Sequence, residues 1–385
     1  MSPADPFALG IVQWELTRRC DLSCGLCFLG EHRAGHDELS TGQALDLIEQ
    51  CAELDVKQIH LFGGEAYLRS DFLQIVRAIA DRGIRLTFTT GGYRFPVEDV
   101  VQAAGDLISL FVFSIDGLES VHDMLRGRAG SFAAVMRSLE KALHYGIDCG
   151  VSTQLNRRTL GNLGSLAQLL FLLELRLWHI QLTEPFGRAA TKLDDLLQPY
   201  ELPRAFDVLC GIKQKSRRYS VVVKPGNNIG YFTGRTLKLR QDLGPFGGCR
   251  QGLAYLAVQS DGIVKGCAGC ARGIGTKVRN IKNTTLAEIW SEADVFAWTR
   301  YPERNLPWGF CAECPYRDPC RGGCVQTSQA LFGRPGNNPY CDYRVSCLAE
   351  EGRRERIVAA GAGAESPFRV IEEPMPVVEA KCRSG

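Results

Sequence analysis

The order of residue patterns predicts an α/β fold in which a parallel sheet comes first and a small cysteine-rich domain follows. Three observations point to it. Short apolar, β-rich runs alternate with amphipathic stretches through the first half of the chain. A C-x3-C-x2-C loop (Cys20, Cys24, Cys27) follows the first such run. Nine of the 16 cysteines crowd between Cys249 and Cys347.

The candidate strands are 11–16, 58–62, 85–89, 110–114, 148–154 and 177–182. Helical patterns lie between them. Ser40 with Gln43 makes a capping box that opens a helix through Leu54. A second helix covers 71–81, after Ser70, and 132–144 and 160–173 carry the same 3.6-residue periodicity. Strand–helix alternation on this scale implies parallel strands joined by crossover helices. Such sheets carry their sites at the carboxyl ends of the strands, which is where the three-cysteine loop falls. The run 255–266 reads as a hairpin turning at Asp261-Gly262. Beyond it the chain is rich in Cys, Gly and Pro, with one short helix near 285–290. A stretch so poor in periodic apolar residues needs another source of stability, and metal clusters supply one. The expected domains are therefore 1–198 (parallel sheet), 199–248 (a bridge of unassigned structure) and 249–351 (cysteine-rich). The segment 352–385, with few large apolar residues before Val370, is expected to be a disordered tail. No internal repeat is visible.

Composition excludes several classes. Lys plus Arg is 45 and Asp plus Glu is 43, so a net charge of +2 gives no electrostatic case for nucleic acid or an anionic membrane. No apolar run approaches the ~20 residues a membrane span needs. The N-terminus lacks a basic stretch followed by an apolar one, so a cytoplasmic location is expected. In a reducing compartment the cysteines are not structural disulfides, and two dense clusters with a sparse middle argue for metal ligation. Cys51, Cys149, Cys210 and Cys382 are most simply free thiols.

Three thiolates at Cys20, Cys24 and Cys27 would hold an iron–sulfur cubane with one iron open, and an open metal position is a place for chemistry. A structural zinc site is the competing reading. The spacing resembles the signature of the radical S-adenosylmethionine (SAM) enzymes, although Leu26 stands where an aromatic commonly precedes the third cysteine. Gly63-Gly64-Glu65, an ordinary turn on its own, resembles that family's GGE motif at the end of the second strand, with Ala66 where proline is usual. Thr89-Thr90-Gly91-Gly92 and Ser114-Ile115-Asp116-Gly117 follow the third and fourth strands. Glu184-Pro185-Phe186-Gly187-Arg188-Ala189 follows the sixth and is similar to a P-x-G-R-A segment. The resemblance implies a partial (β/α)6 barrel. It also implies SAM contacts at Gly63, Gly64, Glu65, Thr90, Ser114, Asp116 and Arg188, with the acid suited to the ammonium and the glycines to close backbone approach. Asp116-Gly117 read as a mere turn stays open. His122 is taken as structural.

The order Cys249, Cys267, Cys311, Cys314, Cys320, Cys324, Cys341 resembles the SPASM domain. A zinc ribbon would account for only part of it. The resemblance implies two auxiliary clusters, one on Cys311, Cys314, Cys320 and Cys341, the other on Cys249, Cys267 and Cys324. For the latter, Cys270 or Cys347 is the candidate fourth ligand, with Cys270 preferred, or one iron stays open. The cofactors expected by resemblance are three 4Fe–4S clusters and SAM.

Resemblance to the peptide maturases of that family implies hydrogen abstraction from a ribosomal precursor peptide by a 5′-deoxyadenosyl radical. The outcome would be an oxidative crosslink or a related modification. No catalytic residue beyond the SAM cluster is assigned. Cys20 lies too early for a preceding leader-binding module of ~80 residues, so a separate leader-binding protein, or direct binding of the peptide to the bridge region, is expected in its place. Flavodoxin or ferredoxin is the expected electron donor. The alternatives are a formylglycine-type maturase of folded proteins, small-molecule carbon chemistry, and a non-catalytic iron–sulfur electron carrier.

Overall fold

The computed structural model describes residues 7–30, 37–270, 278–360 and 367–376. Its strands are β1 (Ile11–Glu15), β2 (Gln58–Phe62), β3 (Arg85–Thr90), β4 (Ile108–Ser114), β5 (Cys149–Leu155), β6 (Leu177–Leu182), β7 (Val222–Pro225), β8 (Tyr255–Val258), β9 (Ile263–Lys265), β10 (Arg279–Asn280), β11 (Arg353–Ala359) and β12 (Phe368–Pro374). The chain forms two compact units, one of residues 1–152, 174–177 and 250–305, the other of 153–173, 178–249 and 306–385.

In the first unit β1, β2, β3, β4 and the start of β5 pair in parallel and in sequence order, as expected. Alternation decides their faces. Val12, Trp14, Ile59, Leu61, Leu86 and Phe88 are sealed on one side. Leu47 and Ile48 of the helix Thr41–Glu53, and Ile75, Val76 and Ile79 of the helix Phe72–Asp81, are equally buried. Each such side chain contributes about 1.5–3 kcal/mol. Gln13, His60 and Thr89, on the opposite face, remain only partly buried. The capping box at Ser40 and Gln43 forms as anticipated. The 255–266 hairpin also forms, with β9 antiparallel to β8, and β8 adds in parallel to the outer side of β1. That pairing groups 250–305 with the early strands, so the compact units do not follow the 249–351 boundary expected from the cysteines.

In the second unit β6 lies beside β7. The expected helix 160–173 is broken into Arg157–Leu160 and Leu163–Leu170. Asn156 and Thr159 form a capping box that starts the first piece early, and Gly161-Asn162 separates the two. The bridge resolves into a helix Leu202–Ser216, strand β7 and a helix Gly234–Leu239 capped by Thr233. The tail departs most from expectation. Instead of disorder, β11 and β12 pair along their full length. Backbone pairing and the buried side chains of Ile357 and Phe368 hold them, with ion pairs alongside: Arg354 meets Glu373 at 2.8 Å, Arg353 meets Glu372, and buried Glu355 pairs with Arg344. Gln198 completes the anchoring, accepting from Ile357 N at 2.6 Å and donating to its carbonyl at 3.2 Å.

Candidate SAM cradle and cysteine sets

After β1 the backbone runs against the turn that follows β2. Gly64 N donates to Thr17 O at 2.8 Å and Glu65 N to Arg19 O at 2.6 Å. A Cβ on Gly63 would lie 2.3 Å from Thr17 O, and one on Gly64 would lie 2.0 Å from Arg19 O. The paired glycines are thus required by the entry to the cysteine loop itself. The far side of that loop is pinned to the end of the helix Glu119–Arg126. Gly25 N donates to Leu125 O at 2.8 Å, and Gly127, at φ 64°, brings its backbone against Ser23 O. Cys20, Cys24 and Cys27 sit half-buried in this clasp.

Glu65 is 2% exposed. Thr90 Oγ1 donates to its Oε2 at 2.6 Å and Gly91 N to its Oε1 at 2.5 Å. Burial pushes the carboxyl up to about 8 against those two hydrogen bonds, and Asp21 adds to the rise. Burial and then Glu65 push the Cys20 thiol up to about 12. A thiolate here therefore needs a cation beside it, as a metal ligand would have. Asp116 is committed to Arg126, Oδ2 to Nη2 at 2.7 Å, and Arg126 reaches Cys24 Sγ at 3.7 Å. The acid expected to contact SAM thus positions a cation behind the cysteine loop. His122 Nδ1 accepts from Asp116 N at 3.1 Å, and burial lowers the ring to about 3, so it stays neutral. Ser114 ends β4 in register with Ser152. Arg188 lies in a 3₁₀ turn, Gly187–Thr191, of the second unit. Three residues not assigned a role from the sequence join the cradle: Arg126, Asp21 and Tyr67. The only sequence signal was proximity, Asp21 next to Cys20 and Tyr67 close after Glu65.

In the second unit Cys311, Cys314, Cys320 and Cys341 come together. Burial pushes Cys320 up to about 12, with Cys311 and Cys314 adding to it, and raises Cys341 well above the usual thiol range, with Cys320 and Cys311 adding. Four thiols gathered where none ionises easily fit a metal cluster that takes their protons away. Cys324 and Cys249 are electrostatic neighbours in the same unit, and Cys324 Sγ lies 3.6 Å from Glu184 Oε1. In the first unit Cys270 hydrogen-bonds Cys267 and lowers its thiol. Cys347 stands by Tyr343 and Cys314. Of the two candidates for an extra ligand, Cys270 is the one beside a cysteine of the set in question. Cys51 and Cys149 are buried core thiols, Cys210 donates to Arg235 O at 3.4 Å, and Cys382 lies outside the described residues. Among the described residues no helix is long and apolar enough to cross a membrane.

Comparison with known proteins agrees with this chemistry. Residues 14–169 match the model of the radical SAM superfamily, and residues 249–315 match that of an iron–sulfur cluster-binding domain, SPASM. An AdoMet-dependent heme synthase of Oleidesulfovibrio alaskensis is 26% identical over 351 residues, covering 88% of each chain. The mycofactocin maturase MftC of Mycolicibacterium smegmatis is 28% identical over 341 residues, covering 85% of this chain and 81% of that protein. The crystal structure of Streptococcus suis SuiB bound to precursor peptide SuiA superposes with a TM-score of 0.66 at 15% identity, covering 86% of this chain and 75% of that one, which bears on the fold alone.

Proposed function

Since the chain is a radical SAM enzyme that carries a SPASM iron–sulfur domain, we propose that it matures a ribosomal precursor peptide by oxidative modification. The observation that carries the reading is the clasped loop of Cys20, Cys24 and Cys27 beside a buried carboxylate, Glu65, that Thr90 and Gly91 orient. Similarity to a protein named as a maturase supports the peptide class of substrate. When bound, a cluster with SAM supplies one-electron cleavage of the sulfonium and a carbon radical able to take hydrogen from an unactivated carbon.

The chain's own residues do the rest. Cys20, Cys24 and Cys27 would hold the cluster that binds SAM. Glu65 would accept from the amino group of SAM, and Thr90 and Gly91 hold its carboxyl in place. Arg126, backed by Asp116, offsets the negative charge of the Cys24 thiolate. Gly63 and Gly64 let the loops close tightly enough to exclude water. Cys311, Cys314, Cys320 and Cys341 would hold a second cluster. Cys249, Cys267 and Cys324, with Cys270, would hold a third on the strength of their order in the sequence. Two auxiliary clusters suit a net oxidation, such as a crosslink, since closing a bond on a substrate radical releases an electron. A separate leader-binding protein and a flavodoxin or ferredoxin donor, in a cytoplasmic setting, complete the proposal.

Similarity to a heme synthase favours a second reading, in which the substrate is a tetrapyrrole. One experiment separates the two. The enzyme is coexpressed with a candidate precursor peptide, and also incubated with an iron porphyrin. Mass spectrometry finding a peptide lighter by a hydrogen pair supports the first reading. An unchanged peptide with an altered porphyrin overturns it in favour of the second.

A further inference from the structure

Building on the reading of the Cys20–Cys27 loop as the SAM site, we propose that Asp21 is a further SAM-binding residue. It would share the amino group with Glu65, with Tyr67 as the residue that positions it. The side chain of Asp21 is split between two environments. Its Oδ2 accepts from Tyr67 Oη at 2.7 Å. Its Oδ1 is screened from solvent and has no hydrogen-bond partner among the described residues. One ligating atom each from Cys20, Asp21 and Glu65 lies within 4.8 Å of the others.

A screened carboxylate oxygen left unpaired next to a second carboxylate is costly unless a donor arrives. The protein groups around Glu65 are already engaged: Thr90 and Gly91 hold its oxygens, and Arg126 is taken by Asp116 and Cys24. An amino group carries more than one N–H donor, so it can face two carboxylates at once. A hard divalent cation is a poorer match, because one of the three donors is a sulfur and such ions want a shell of oxygens. Tyr67 fixes which way Asp21 turns. Its ring packs on Phe95 at 5.4 Å between centroids, so its hydroxyl is held while it occupies Oδ2 and leaves Oδ1 for the ligand.

The test uses anaerobically reconstituted holoenzyme, with SAM and S-adenosylhomocysteine as probes, since both carry the amino group and only SAM carries the sulfonium. Iron content, dissociation constants by equilibrium dialysis, and the change SAM makes in the electron paramagnetic resonance of the reduced cluster are measured. Asp21→Asn is expected to hold full iron, bind both probes about tenfold more weakly and show a weakened spectral response. Tyr67→Phe is expected to lose about threefold, because the carboxylate is no longer held in place. If Asp21→Asn does not take up iron, Tyr67→Phe decides alone. Wild-type affinity and spectra in these variants would overturn the assignment, as would a loss confined to SAM, which would move Asp21 to the sulfonium. A wild-type enzyme that binds no SAM would remove the underlying reading, and this assignment with it.

Discussion

The Cys20–Cys27 loop and the Cys311–Cys341 set place cysteines by opposite means. The first hangs on regular structure. Its backbone is bonded to the turn after β2 and to the end of the helix Glu119–Arg126, both parts of a sheet unit with an apolar core of its own. The second is threaded through short turns, Gly309–Ala312 and Arg317–Cys320, where Cys311 and Cys320 are themselves among the buried residues. Even its glycines serve packing of loop on loop: Gly322, at φ 78°, would put a Cβ 2.5 Å from the backbone of Gly336. A sheet can hold a reactive metal site without depending on it for stability. A region of short turns needs its metal as part of the core.

Substitutions separate the two most sharply. Replacing Cys20, Cys24 and Cys27 together by Ala is expected to lower reductive SAM cleavage by about 10³-fold or more. Folding stability, measured by urea unfolding, should stay within about 2 kcal/mol of wild type. Replacing Cys311 and Cys314 by Ser should do the reverse to stability, removing on the order of 4–5 kcal/mol along with part of the iron. Equal destabilisation by both would erase the distinction.

Gly64→Ala probes the clasp without replacing a cysteine. Its Cβ would sit 2.0 Å from Arg19 O, backbone that cannot swing aside, so a cost of about 3 kcal/mol and a loss of SAM binding are expected. A variant with normal affinity would mean that the loop is not held as described.

Acid stability sharpens the picture further. His122 is buried, and its folded value, about 3, lies far below the ordinary histidine value of 6.5. The unfolded chain therefore binds a proton that the native state refuses. The stability owed to the neutral ring is complete above about pH 6.5 and declines as pH falls from there toward 3, by up to about 1.4 kcal/mol per unit. Urea melts of wild type and His122→Gln across that window should show a shallower slope in the variant. Parallel slopes would contradict the assignment.

The smallest effect belongs to the tail. Arg353→Ala breaks exposed pairs with Glu351 and Glu372 and should leave the urea unfolding midpoint close to that of the wild type.

What the sequence disclosed divides along the same physical line. Strands β1 to β6 are legible as short apolar, β-rich runs set between amphipathic stretches. The turn at Asp261-Gly262 was legible because Gly262 takes a positive φ of 87° and Asp261 accepts from Ile263 N at 3.1 Å. The three-cysteine loop and the GGE turn were legible as motifs. What was hidden depends on partners far apart in the chain. Nothing near Asp116 announces that Arg126 will claim it, and nothing in a charged stretch near Arg353 announces a matching row at Glu372 and Glu373. Ion pairs across a fold leave no periodicity to read, so the β11–β12 hairpin was mistaken for a tail, and the second role of Gly63 and Gly64 became visible only when Thr17 and Arg19 were seen against them.

The most direct test of the account is 5′-deoxyadenosine formation by the anaerobically reconstituted protein given dithionite and SAM, with the Cys20, Cys24 and Cys27 triple variant alongside. The account predicts steady formation by the wild type and none above background by the variant. Absence of the product from both, in protein with full iron content, would contradict it.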